Sequence, residues 1–301
     1  MHNLILLALC FALGIALRRF KKLPDNATSV LSSFVIHISL PALTLLYIHD
    51  LQLNASLLIP LSMAYLFFGL ASIFFYFIGR WMKLPPKTIG CLMLTGGLGN
   101  TAFVGLPMIE SFYGTDAVVI GIIADQAGSF IVLSTFGIIT AARYSASGIS
   151  TKEIVKRIIL FPPFIALLVA ILLMPIPFPE WATFVLTRLG STLAPMTLLI
   201  VGLELRLDHL KGKIPILTVG LFFKLILAPL TLLGFYVWIA GGSGQILQVT
   251  IFEAAMPPMI MGAILAMQYD LDRAMATLMI GIGIPVSFLT LPIWWWLLRG
   301  F

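Results

Sequence analysis

"GGLGNTAFVGLP", residues 96–107, interrupts an apolar run that starts near Ile89. The run is greasy enough to cross a membrane, yet it holds Gly96, Gly97, Gly99, Gly105, the polar pair Asn100-Thr101 and Pro107. Hydrocarbon offers no water to satisfy an opened backbone. Such a stretch is tolerated at membrane depth only where it packs in protein or faces a water-filled cavity.

The rest of the chain fits that setting. Of 301 residues, 60% are hydrophobic and only 10% charged, and the mean hydropathy is +1.08. Soluble domains carry about 25% charged residues, so a soluble globular class is excluded. A span needs about 20 apolar residues, so this length holds about ten. Breaks in hydropathy place them at 3–17, 27–48, 57–79, 88–109, 116–142, 156–175, 180–204, 214–239, 245–267 and 274–298. The charges Arg18, Arg19, Lys21 and Lys22 follow the first apolar segment instead of preceding it, which reads as a retained helix and not a signal peptide. Cys10 and Cys91 lie inside apolar segments and predict no disulfide framework.

Fifteen of the eighteen Lys and Arg residues fall in alternate connections, "RRFKK", "RWMKLPPK", "ARYSASGISTKEIVKR", "LRLDHLKGK" and "YDLDR". Basic loops stay in the cytoplasm. Both termini are therefore expected outside the cytoplasm, and the net charge of +6 reflects topology instead of a nucleic-acid partner.

Two internal matches agree in register to within one residue. "LPALTLLYIHDLQL" (40–53) aligns without gaps to "APMTLLIVGLELRL" (194–207), pairing Pro41 with Pro195 and Asp50 with Glu204. "IPLSMAYLFFG" (59–69) aligns to "IPILTVGLFFK" (214–224) at an offset one residue larger. Five helices per copy, an odd number, make the second copy inverted. The predicted organisation is a first repeat over 1–143, a cytoplasmic linker over 144–155 and a second, inverted repeat over 156–301. Such symmetry supplies inward- and outward-open states of similar energy, the basis of alternating access.

The counterpart of span four is span nine, with "FEAAMPPMIMG" (252–262). A proline has no N–H for the carbonyl four residues back, so Pro107 frees Phe103, while Pro257 and Pro258 free Glu253 and Ala254. Interrupted spans at corresponding places point to a transporter's binding site. Half-helix N-termini there favour an anion. The candidate substrate site is Gly99, Asn100, Thr101 and Pro107 with Glu253, Met256, Pro257 and Pro258. Asp125, Lys224 and Glu253 are candidates for ion coupling or charge balance. Each charge at depth costs at least about 2.5–3.5 kcal/mol, and Lys224 aligns with Gly69, so it belongs to the second repeat alone. His37 reads as a packed, hydrogen-bonded core residue and Arg188 as one that snorkels or braces span seven; neither is placed in the site.

"GNTAFVGLP", "EAAMPP" and the ending "GIPVSFLTLPIWWWL" resemble the auxin efflux carrier family, bacterial members included, over essentially the whole chain. The resemblance implies an all-α membrane protein of ten transmembrane helices in two inverted five-helix repeats, related to bile-acid symporters and sodium/proton antiporters. It implies that spans four and nine cross as broken helices, and that spans 1, 2, 6 and 7 form a scaffold beside a transport domain of spans 3–5 and 8–10. It further implies that Asn100 helps bind a substrate carboxylate, that substrates are auxin or small organic acids such as malonate, and that the chain dimerises through the scaffold. The central loop around "YSASGISTK" is short, unlike the long insert of plant carriers, and Glu253 stands where those carriers have a neutral amide. A compact bacterial inner-membrane carrier fits better.

The leading expectation is a secondary transporter of small organic anions in the plasma membrane, coupled to H+ or Na+ or uncoupled, without cofactor, metal or nucleic acid. The alternatives are an uncoupled channel or a non-transporting receptor. An intramembrane enzyme is disfavoured, because "HExxH" is missing and the four His are scattered. No phosphate-cradling loop supports ATP-driven transport by this chain.

Overall fold

The computed structural model describes residues 2–20, 23–24, 26–49, 55–145, 159–204 and 212–301. Most of the expected linker 144–155, the repeat position Asp50 and most of the basic connection 205–213 lie outside the described residues. The helices are α1 (His2–Arg19), α2 (Ala27–His49), α3 (Leu58–Trp81), α4 (Pro86–Gly97), α5 (Leu106–Tyr113), α6 (Thr115–Ser145), α7 (Pro162–Leu173), α8 (Glu180–Leu203), α9 (Ile214–Trp238), α10 (Gly244–Ala254), α11 (Ile260–Gln268) and α12 (Arg273–Leu298). Among the described residues there is no strand. Six helices, α2, α3, α6, α8, α9 and α12, are long and apolar enough to cross a membrane. Four of the six tryptophans, Trp81, Trp181, Trp238 and Trp296, stand exposed near helix ends, where an amphipathic ring suits the headgroup level.

Packing sorts the helices into two groups. The first is α1, α2, α7 and α8, with α1 on the second half of α8 and α7 on α2. Gly14 and Gly202 let α1 and α8 touch backbone to backbone: a Cβ on Gly14 would stand 2.3 Å from the Leu199 carbonyl oxygen, and one on Gly202 2.2 Å from that of Phe11. Small residues permit this approach where lipid supplies no hydrophobic drive between helices. The second group contains α3–α6 and α9–α12, with α4 against α3, α6, α11 and α12, and α10 against α3, α9 and α12. Most of the core lies here.

Three prolines are absorbed by local widening. π-helical turns span Val35–Ser39, Thr101–Gly105 and Phe223–Leu227, each ending two residues before a proline: Pro41, Pro107 and Pro229. A proline ring collides with the carbonyl four residues back, and a wider turn moves that carbonyl aside. The carbonyl released by Pro229, that of Leu225, accepts from Trp294 Nε1 at 2.8 Å. Pro107 therefore sits at the start of α5 instead of making the break itself. The break lies upstream, where Leu98 is extended at φ −123°, ψ 133°.

Candidate functional site

Two interruptions face each other. α4 stops at Gly97, and the chain runs through Leu98, Gly99 and Asn100 into the wide turn that leads to α5. α10 stops at Ala254, and the chain runs through the proline pair to an extended Met259, which precedes α11. The Asn100 N–H donates to the Pro257 carbonyl at 2.8 Å, and the Met259 N–H donates to the Leu98 carbonyl at 3.1 Å. Gly99 and Pro258 form the antiparallel bridge between them. Backbone groups that helix breaking released are thus spent on each other, which is how open peptide survives in an apolar interior.

Each break is finished by side chains. Asn100 Oδ1 caps the turn by accepting from the Phe103 N–H at 3.1 Å, while its Nδ2 is buried with no partner. Pro258 cannot bond the Ala254 carbonyl, and Lys224 Nζ donates to that oxygen at 2.9 Å. The Lys224 ammonium also lies 4.0 Å from the centre of the Phe67 ring. A cation at a helix C-terminus and over an aromatic face is stabilised by both, so a fully buried lysine is tolerated.

Glu253 is fully buried, and neither carboxyl oxygen has a hydrogen-bond partner. Its carboxyl group fills space left by two glycines. A Cβ on Gly105 would lie 2.4 Å from Glu253 Oε2, and one on Gly121 would lie 3.0 Å from Oε1. Asp125, in the wide turn Ile123–Ser129 of α6, accepts from the Thr101 hydroxyl at 2.6 Å. Its neighbour Gln126 bonds Thr44 of α2, so consecutive residues of one turn face the break and the other helix group.

The expected site residues divide among three spaces. Asn100 and Asp125 line a narrow cleft of about 60 Å³ whose walls include Leu40, Phe103, Phe130, Phe161 and Met259. Phe130 and Phe161, two of those walls, stack with ring centres 3.5 Å apart. Lys224, Glu253 and Gly99 border a void of about 10 Å³, the size of one water, together with Ser129. Pro107 lines a wider cleft of about 300 Å³ with Tyr47, Glu110, Ser111, Thr187 and Ser191. Thr101 and Met256 are fully buried, and Pro257 and Pro258 hold the bridge.

Lys224 donates to the Ala254 carbonyl instead of to either acid, Glu253 or Asp125, that it was expected to neutralise. His37 bonds the Ser33 carbonyl one turn back, and Arg188 lies over the Phe184 ring. The sequence reading omitted Glu110, which it assigned to a connection, and Gln126. A carboxylate one turn beyond Pro107 and an amide beside Asp125 were the available signals.

A family model described as membrane transport protein matches residues 1–295. An uncharacterized transporter of Methanothermobacter thermautotrophicus is 26% identical over 285 residues, covering 94% of this chain and 93% of its own. An uncharacterized transporter of Methanocaldococcus jannaschii is 27% identical over 311 residues, covering 98% of each chain.

Proposed function

The chain belongs to the membrane transport protein family, that of the auxin efflux carriers, and from that premise we propose that it is a secondary transporter of small organic anions working by alternating access. It is a multi-pass membrane protein. The observation that carries the anion reading is the pair of interrupted helices bonded to each other beside the unpartnered amide of Asn100. A carboxylate accepts from that amide and from the start of the turn leading into α5.

In this reading α4 with α5 and α10 with α11 are spans four and nine of ten, crossing at their breaks, and the two repeats are inverted over 1–143 and 156–301. The group α1, α2, α7 and α8 is the scaffold, and the other group moves against it. Both termini lie outside the cytoplasm of a plasma membrane, and the scaffold supports a homodimer. Asp125, Glu253 and Lys224 balance charge around the solute, and the protein acts without enzymatic chemistry.

Two measurements test this. A panel of mono- and dicarboxylates is screened by thermal shift on purified protein, where binding raises the melting point with affinity. Proteoliposomes loaded with the unlabelled hit should then accumulate labelled solute by counterflow. Simple equilibration marks a channel instead, and no binding by any carboxylate removes the anion reading.

A further inference from the structure

Each cleft beside the breaks carries one carboxyl group and no basic side chain. Among the described lining residues, the wide cleft presents Glu110 and the narrow one Asp125, with no Lys, Arg or His in either. The two clefts lie at different heights along α6: the wide one meets Thr115 and Val118, the narrow one Asp125, Phe130 and Leu133. The buried cation of the site lines neither, since Lys224 is turned to Ala254 and Phe67.

An anion drawn to Asn100 therefore meets a buried acid. Asp125 is 3% exposed and accepts a hydrogen bond from a neutral hydroxyl, that of Thr101. Among the described residues, Glu253 of α10 lies within electrostatic reach of it, and Lys224 of α9 within reach of Glu253. Glu110 shares the wide cleft with Tyr47 of α2, and Asp116 at the head of α6 lies within electrostatic reach of the same tyrosine. Two like charges sharing a buried site cannot both stay ionised.

We infer that the solute anion binds together with one proton, carried on Asp125 in the narrow cleft, and that Glu110 must be protonated for the anion to pass the wide one. This rests on the organic-anion reading. Only O–H bonds form and break. A proton from solution neutralises the carboxylate as the anion arrives, and leaves to solution with it at the far side. A monocarboxylate then crosses as an electroneutral pair.

The test is calorimetry on the purified full-length protein with malonate and indole-3-acetate as probes, in two buffers of different ionisation heat. Wild type should take up one proton per anion bound, with affinity falling about tenfold per pH unit on the alkaline side. Asp125→Asn, which can still accept from Thr101, should bind with no proton uptake and a flat pH profile. Glu110→Gln should flatten the pH dependence of the counterflow rate and leave affinity unchanged. Counterflow without proton uptake in wild type overturns the pairing alone, as does full uptake in Asp125→Asn. If neither these probes nor any other carboxylate exchanges, the anion reading falls and takes the pairing with it.

Discussion

Lys224 donates to the carbonyl of Ala254 at 2.9 Å, the oxygen that Pro258 leaves without a backbone partner. One long side chain thus repairs a helix end from a neighbouring helix and holds a positive charge near Glu253.

Removing both charges should therefore cost less than the sum of removing each alone. Lys224→Met orphans a buried carbonyl, worth about 1–3 kcal/mol, and leaves Glu253 uncompensated. Glu253→Gln relieves the second penalty but not the first. A double-mutant cycle by denaturation should give a coupling of about 1–2 kcal/mol. Strict additivity would show that the two residues do not sense each other.

Gly105 makes room for the Glu253 carboxyl group. Gly105→Ala places a methyl 2.4 Å from Oε2 and should destabilise by about 1–3 kcal/mol through overpacking. Glu253→Asp, one methylene shorter, should recover part of the lost melting temperature in the Gly105→Ala background. An equal loss in both backgrounds would place the strain elsewhere.

Asn100 has separable roles. Asn100→Ala removes the cap on Phe103 and should cost about 0.5–2 kcal/mol. Asn100→Asp keeps an acceptor for Phe103 but deletes the free Nδ2 donor, so it should melt near wild type while losing the ligand-induced thermal shift. A retained shift in Asn100→Asp would remove the amide from the binding site.

Asp272, in the turn before α12, accepts from Lys213 Nζ at 2.5 and 2.6 Å, from Thr88 Oγ1 at 2.7 Å and from the Met275 N–H at 3.1 Å. Partial burial raises its pKa, but these hydrogen bonds outweigh burial and hold it below the ordinary carboxylate value. A folded-state pKa below the unfolded one gives stability that is present above the unfolded value, about 3.9, and lost as pH falls through the folded one. Asp272→Asn should lower the melting point at neutral pH by an amount equivalent to about 1 kcal/mol. The gap to wild type should close below about pH 4. A gap that is constant with pH would mean that charge plays no part.

The membrane class, the helical content and the neighbourhoods of both breaks were legible in the chain. Hydropathy, proline and glycine act over a few residues, so a run such as 88–109 declares both its greasiness and its fault. The exact fault was less legible. Pro107 looked like the breaker, whereas a wide turn absorbs it and the chain opens at Leu98–Asn100. That choice depends on Pro257 and Leu98 offering backbone partners across the bridge.

What only the tertiary structure decided is which groups meet. Asn100 and Pro257 are bonded although more than 150 residues apart. Lys224 chose a carbonyl over a carboxylate, and Glu110 and Asp125 took separate clefts. Local pattern sets how each segment folds and where it is soluble. Contacts between distant segments follow from packing, to which every other helix contributes, and no stretch of sequence states them alone.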